Sequence, residues 1–287
     1  VLTSPRVKNN VQPKVSNAPV DFVAVRIPAA SFGSVLDGDL RPTADPILLH
    51  KDTESQTLIL IRNGDNGMSI RYLPVSGLMA AADGSITFSR RDWAAGFPLK
   101  MFEDPELRVA AADRAAWLSE WHTEVEWLRA VHRTKYSNGI IGLVEQLSSH
   151  RLYDDDAGLT ADERLMRRFR ERQRRLAEAD MLIMADDKWN FDVKGFNPGG
   201  NHGSFFRKAT NSTFMIAGGN TTGIPRGLRV DEPYDNLSFA PTLLRLMGRI
   251  DTENRPDPAL AALGFRRLPG RVVKEITSRD QTARSAR

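Results

Sequence analysis

The sequence predicts an α/β protein in which helices flank a mostly parallel sheet, joined to a small antiparallel β-rich subdomain. Two apolar runs, at 181–185 and 213–217, have the composition of strands buried on both faces. Helical patterns precede and follow these runs, and strands that alternate with helices favour a parallel sheet. Nearer the start, a turn-rich loop at 63–67 separates two β-rich segments and predicts a hairpin.

The first hundred residues predict the antiparallel part. Residues 1–20 are polar and carry three prolines, so we expect an irregular lead-in. Four β-rich segments follow, and the loop at 63–67 joins the second to the third: 21–27, 57–62, 68–73 and 86–88. We therefore place the small β-rich subdomain at residues 21–105.

The remainder predicts the α/β part. An apolar period of 3.6 residues indicates one helix at 113–132, and a second helix is expected at 140–149. Thr160 and Glu163 form a capping-box pattern at the start of an arginine-rich helix. After the strands at 181–185 and 213–217, a last helix is expected at 239–247. We assign 106–276 to the α/β domain and 277–287 to a polar tail.

Composition excludes several classes of protein. Hydrophobic residues make up 41% of the 287 residues and charged residues 26%, values typical of a globular protein. No apolar run is long enough to predict a transmembrane segment. Cysteine is absent, which excludes disulfides and thiolate catalysis.

The net charge of +4 is concentrated in one place, since seven arginines lie between Arg164 and Arg175. Such a run can bind a phosphate-rich partner, either nucleic acid or an anionic membrane. It can equally be the solvated face of a helix whose apolar positions, Leu165, Phe169 and Leu176, pack inward. We favour the solvated face, and expect no specific nucleic-acid binding, because aromatic residues do not interleave the basic ones as a stacking platform requires.

One histidine lies in a glycine-rich loop that follows the first apolar strand. The loop reads Gly-Gly-Asn-His-Gly over 199–203, with the imidazole at His202. Imidazole is a good zinc ligand, and glycines allow backbone and ligand to approach closely. A lone loop histidine can equally hydrogen-bond a backbone carbonyl, so spacing alone leaves both interpretations open.

Five segments in order make the loop more specific: MLIMADDKW, GGNHG, TFMIAGG, GIPRG and SFAPTLLRLMG, between residues 181 and 248. Together they resemble the C-terminal portion of the alkaline phosphatase superfamily, in its type I phosphodiesterase/nucleotide pyrophosphatase branch. The resemblance implies an alkaline-phosphatase-like fold, incomplete here, and a role for His202 as a ligand of a divalent metal, with two zinc ions in the complete protein. It also implies a phosphate ester or nucleotide-like small molecule as substrate, and a periplasmic or extracellular location.

Other parts of that family's site are missing from the sequence. No histidine directly follows an aspartate, and none has an aspartate four residues earlier, so the Asp-His-Gly and Asp-x-x-x-His motifs are absent. No threonine or serine can be assigned as nucleophile. We therefore expect the C-terminal portion of a metal-dependent phosphoric ester hydrolase, inactive unless an N-terminal catalytic half is present. The alternative is a degenerate, non-catalytic member that acts as a binding protein.

Weaker candidates surround the loop. Asp186 and Asp187, at the end of the first apolar strand, can be metal ligands or a substrate-binding edge, but we favour solvation or support of the loop. Asn197 and Asn201 are expected to make ordinary loop hydrogen bonds rather than contacts with a phosphoryl oxygen.

Two further candidates lie in the helical region. His122 and Glu126 are one helical turn apart, which favours a surface ion pair over a metal site. Lys135 and Tyr136 precede the second helix and fit a substrate rim or a turn between helices equally well.

Overall fold

A computed structural model describes residues 19–64, 67–148, 160–161, 179–187, 189, 204–218, 223–268 and 270–277. The chain divides into two compact units, and the boundary falls between Ser212 and Thr213. The candidate site lies in the first unit.

The first unit is built on a sheet of seven strands among the described residues: β1 Val20–Arg26, β2 Ile47–His50, β3 Gln56–Gly64, β4 Gly67–Ala80, β5 Ile86–Arg90, β6 His122–Thr123 and β7 Met181–Ala185. Their order is β5-β4-β3-β2-β1-β7, and the short strand β6 pairs with β4. All of these pairings are antiparallel.

The prediction of a mostly parallel, alkaline-phosphatase-like sheet flanked by helices is therefore wrong. A parallel pair needs two strands joined by a crossover that passes over the sheet. Among the described strands, only β7 follows the helix at Gly139–Leu147, and it runs beside β1 in the opposite direction. The predicted strand at 213–217 is also wrong, because these residues pair with no strand in the described part of the chain and Met215 is 84% exposed. An apolar run favours a strand, but the strand forms only where a neighbour completes its hydrogen bonds.

The predicted hairpin is confirmed. β3 and β4 pair from Gln56 opposite Val75 to Gly64 opposite Gly67. The apolar run of β3 is buried on both faces of the sheet, and each residue from Leu58 to Ile61 has no measurable exposure. The predicted strands at 21–27, 86–88 and 181–185 are also present, as β1, β5 and β7.

Each face of the sheet packs against a different layer. On one face, Ile59, Ile61 and Tyr72 form the main core with helical residues such as Trp127. On the other face, Leu58, Leu60, Leu73 and Val75 meet apolar residues of two 3-10 segments, Ala29–Leu36 and Gly38–Leu40. Strands β2 and β3 are consequently buried in spite of their antiparallel arrangement. Burial on both faces was wrongly predicted for 181–185, because β7 lies at the edge of the sheet among the described strands and exposes Met181 and Ile183.

The helices among the described residues are short: α1 Arg114–Leu118, α2 Glu124–Val131, α3 Gly139–Leu147, α4 Arg207–Thr210, α5 Phe239–Leu246, α6 Pro258–Ala262 and α7 Lys274–Thr277. The single helix expected at 113–132 is interrupted by β6. Thr123 begins a new helix, because its hydroxyl accepts from the N–H of Glu126 while the Glu126 carboxylate accepts from the N–H of Thr123. Helices α3 and α5 confirm the helices predicted at 140–149 and 239–247.

The second unit, described from Thr213 to Thr277 with two gaps, is organised around α5. The Thr242 hydroxyl on this helix donates to Ser238 O at 2.6 Å and accepts from Val273 N at 3.0 Å. Asn254 Nδ2 donates to Gly270 O at 2.8 Å. Side-chain hydrogen bonds thus join segments that are far apart in this part of the chain.

Candidate functional site

The predicted metal ligand, His202, lies outside the described residues together with its loop, Asn197 and Asn201. The described residues on either side of this stretch meet at one end of the first unit. Here the end of β7, the turn between α2 and α3, and the segment 204–211 that follows the loop come together.

Segment 204–211 is fixed by two consecutive phenylalanines. Phe205 and Phe206 are only 9% and 7% exposed, and both belong to the main core. The backbone is tied as well, because Arg207 N donates to Lys135 O at 2.8 Å and Arg207 Nη1 donates to Arg133 O at 2.7 Å. The chain that leaves the glycine-rich loop is therefore anchored on the turn between α2 and α3.

A glycine inside α3 makes room for this anchor. A Cβ added at Gly142 would lie 2.6 Å from Cε1 of Phe205 and 2.8 Å from Nδ2 of Asn138. Both distances are shorter than real Cβ contacts, so the helix approaches Phe205 this closely only without a side chain at this position. Glycine is unfavourable in a helix interior, which is a signal that the sequence offered and that we did not interpret.

A buried polar pair supports the same corner. The Tyr136 hydroxyl donates to Oδ2 of Asp21, which lies at the start of β1, and both residues are buried. Burial, together with the charge of Asp21, raises the pKa of the Tyr136 hydroxyl, so the tyrosine remains protonated and acts as a donor. The Tyr136 ring packs against Phe206 with centroids 4.9 Å apart. No sequence pattern connects Asp21 to Tyr136.

Lys135 places an ammonium group above these rings. Its Nζ lies 5.1 Å from the ring centroid of Tyr136 and 5.0 Å from that of Phe206, which are cation–π distances. The carboxylate that faces it belongs to Asp186, with Oδ1 at 3.8 Å from Nζ. Lys135 and Asp186, which the sequence suggested as separate candidates, are thus neighbours.

Lys208 completes this arrangement from segment 204–211. Its Nζ pairs with Oδ1 of Asp187 and lies 5.7 Å from the ring centroid of Phe206. We name the five residues Lys135, Asp186, Asp187, Phe206 and Lys208 the lysine–aspartate cluster. Its two carboxylates each face an ammonium group. The loop lies outside the described residues, so its support by Asp186 and Asp187 stays a prediction.

The recess beneath the cluster is not a ligand cavity. Its walls include Asp21, Tyr136, Met184 and Phe206, and they pack so tightly that no water molecule fits between them. The described residues therefore leave no room for a ligand inside this recess.

Within the described residues, no three histidine, aspartate or glutamate side chains lie close enough together to hold a metal ion. His202 is not among the residues searched, so its predicted role as a ligand remains a prediction.

The predicted surface ion pair between His122 and Glu126 is wrong. His122 lies in β6 rather than on a helix, and it is buried. Its ring stacks on Trp117 at 3.8 Å between centroids, and Nε2 lies 2.6 Å from Trp117 O. Glu126 instead binds the N–H and hydroxyl of Thr123, each at 2.7 Å, because a helix terminus supplies better-placed donors.

No protein-family model, no curated protein and no solved structure matches the chain. The resemblance stated above therefore depends on the five segments between residues 181 and 248. Of these, the described residues include the strand 181–185, the stretch 213–218, the segment 223–227 and helix α5.

None of the helices in the described part of the chain has the length and hydrophobicity needed to cross a bilayer. The arginine-rich segment, 164–175, lies outside the described residues.

Proposed function

We propose that the chain is the C-terminal portion of a metal-dependent phosphoric ester hydrolase of the phosphodiesterase/nucleotide pyrophosphatase type, and that His202 binds a divalent metal. The observation that carries the proposal is the order of the five segments, with a Gly-Asn-His-Gly loop between two apolar runs and a Ser-Phe-Ala-Pro-Thr-Leu-Leu helix after them.

The chemistry explains why the chain is expected to be inactive alone. Phosphoric ester hydrolysis at a two-metal centre uses one ion to activate the attacking oxygen and the other to stabilise the leaving oxygen. A zinc site needs three or four protein ligands, and His202 supplies one. The remaining ligands and the nucleophile are to come from polypeptide outside these 287 residues, in keeping with two zinc ions in the complete protein.

The described residues support the proposal in one respect. Metal ligands must be held in place by well-packed surroundings to bind tightly. The chain leaves β7 at Asp186, whose N–H donates to Pro19 O at 3.1 Å, and it is fixed again by the buried Phe205 and Phe206. The ends of the stretch that carries His202 are therefore anchored to the sheet.

The test is substitution of His202 in the complete protein. We expect His202→Ala to lower turnover of a chromogenic phosphodiester by about 100-fold or more, since a lost metal ligand removes the charge that stabilises the transition state. His132→Ala is the matched control, because His132 ends helix α2, where its Nδ1 lies 3.1 Å from Arg129 O. Metal analysis should show that His202→Ala loses zinc together with its activity, and that His132→Ala keeps both. Unchanged turnover in His202→Ala would overturn the proposal.

A second function is favoured by the absence of Asp-His-Gly and Asp-x-x-x-His from the sequence. A degenerate member of the family that binds a nucleotide-like molecule without hydrolysing it would lack these motifs. The same assay separates the two. A complete protein that retains a nucleotide through dialysis, contains no zinc and hydrolyses no phosphodiester is the binding protein.

A further inference from the structure

We propose that the lysine–aspartate cluster is an anion subsite in which Lys135 and Lys208 bind the phosphoryl oxygens of a phosphoric ester. The inference rests on the proposed function for the choice of ligand class. The subsite itself is argued from the positions of the charged groups, and neither of these lysines is assigned a role by the five segments.

Lys135 has unused hydrogen-bonding capacity. Its ammonium group carries three donors. The nearest carboxylate oxygen, on Asp186, is 3.8 Å away, which is too long for a hydrogen bond. Among the described residues, Lys135 Nζ otherwise contacts only the faces of Tyr136 and Phe206. An aromatic face attracts the charge but accepts no strong hydrogen bond, so no described residue occupies the three donors with a hydrogen bond.

Lys208 has a partner that an anion can replace. Its side chain is 62% exposed and that of Asp187 is 37% exposed. Ion pairs between solvent-exposed side chains contribute little net stability, because water screens them and the side chains lose freedom. A phosphoryl group, which carries several acceptor oxygens, can take the place of the Asp187 carboxylate at little cost and engage both lysines.

A third cation lies beside the two lysines. Arg207 adjoins Lys208 in sequence, and its Nη1 binds the carbonyl of Arg133 rather than a carboxylate. Besides Asp186 and Asp187, two more carboxylates lie at this corner, since the buried Asp21 accepts from the Tyr136 hydroxyl and Asp104 Oδ2 accepts from Lys135 N at 2.8 Å. We therefore expect direct contacts with the ammonium groups, and not a surplus of positive charge, to hold the anion.

The position of the two lysines is also fixed rather than accidental. Arg207 N donates to Lys135 O, so the backbones that carry Lys135 and Lys208 are joined directly. Phe206, against which both ammonium groups lie, is buried. A subsite that is organised before the ligand arrives loses less conformational entropy on binding.

The test measures binding of inorganic phosphate to the 287-residue chain by titration calorimetry in the presence of EDTA, so that no metal contributes. We expect Lys135→Met to weaken phosphate binding roughly tenfold, because one charge-assisted contact is lost. Lys135→Arg should retain binding, since it preserves the charge. Lys274→Met, which removes an equal charge from an exposed position in α7, is the matched control and should bind as the unsubstituted chain does.

Lys208→Met provides a second variant if Lys135→Met does not fold, since Lys208 is the more exposed of the two. A parallel titration with AMP distinguishes recognition of phosphate alone from recognition of a nucleoside phosphate. Absence of phosphate binding by the unsubstituted chain, or binding by Lys135→Met and Lys208→Met as tight as that of Lys274→Met, overturns the inference. This result is independent of the His202 experiment, because phosphate binding without metal can hold or fail whatever the outcome for the hydrolase.

Discussion

The two units of the chain bury their apolar residues to very different extents. In the first unit, Leu58, Ile59, Leu60 and Ile61 of β3 are all inaccessible to solvent. In the second, large apolar side chains remain partly in water: Phe214, Met215, Leu228, Leu237, Phe239, Met247, Leu263 and Phe265. Apolar burial is the main favourable term in folding, so packing stabilises the first unit to a degree that it cannot reach in the second.

Specific polar contacts contribute a larger share of the stability in the second unit. The Asp257 carboxylate caps α6 by accepting from Leu260 N at 2.8 Å. Arg271 Nη1 donates to Glu232 Oε1 at 2.8 Å, and its guanidinium lies 4.6 Å from the ring centroid of Tyr234. Each such contact contributes about 0.5–1.5 kcal/mol net, which is less than a buried aromatic side chain contributes. The comparison teaches that the two units should respond differently to the same kind of substitution.

The largest effect is expected for Trp127→Ala in the first unit. Trp127 is completely buried, and its Nε1 donates to Ile70 O at 2.9 Å. Truncation leaves a cavity and an unpaired carbonyl, at a cost of about 3–5 kcal/mol in the free energy of unfolding. Urea denaturation followed by far-ultraviolet circular dichroism measures it. Phe239→Ala in the second unit is the counterpart, since this ring is 51% exposed, and it should cost less than about 1 kcal/mol. Equal costs would remove the distinction between the units.

A smaller effect is expected where the second unit is tightly packed. Gly270 has φ +89°, and a Cβ there would lie 2.4 Å from the backbone oxygen of Leu237. Gly270→Ala should therefore cost about 2–4 kcal/mol, from backbone strain and overlap together. Gly264 has nearly the same φ, +87°, with open space around it. Gly264→Ala should cost only about 1 kcal/mol, the contribution of strain alone. If thermal unfolding shows similar losses of stability for Gly270→Ala and Gly264→Ala, the close approach of Gly270 to Leu237 is incorrect.

The smallest effect concerns pH and the start of α2. Hydrogen bonds from the Thr123 hydroxyl and the Thr123 N–H hold the pKa of the Glu126 carboxyl below its usual value of 4.5. A lowered pKa in the folded state contributes stability that is present above pH 4.5 and is lost as pH falls through the folded value. In Glu126→Gln, unfolding followed from pH 6 to pH 3 should show a weaker pH dependence than in the unsubstituted chain. An unchanged slope would mean that this carboxylate does not bind Thr123.

Local elements of both units could be predicted because their signals are local. The hairpin of β3 and β4 follows from two β-rich segments and a turn-rich loop, and α5 follows from its apolar period. The interruption at β6 was missed, since Trp117, Trp121 and Val125 maintain a helical period across it. The Thr123–Glu126 capping box was the signal against one continuous helix.

The topology could not be read from the same patterns. An apolar run such as 181–185 indicates a buried strand but not its neighbour or its direction. The pairing of β7 with β1 depends on contacts between segments far apart in sequence, as does the hydrogen bond from Tyr136 to Asp21. For the same reason Lys135 and Asp186 were suggested individually, while their proximity, and the part taken by Lys208 and Phe206, emerged only from the fold.

The position of β7 has a consequence for the synthesis of the chain. Arg26 and Asp180, which join β1 to the start of β7, are separated by 154 residues. On the ribosome the β3–β4 hairpin can form as soon as it emerges, whereas the outer strand must wait until most of the polypeptide has been translated. Until then the edge of β1 stays uncovered, and a nascent chain at this stage offers its unpaired amides to any other extended peptide nearby.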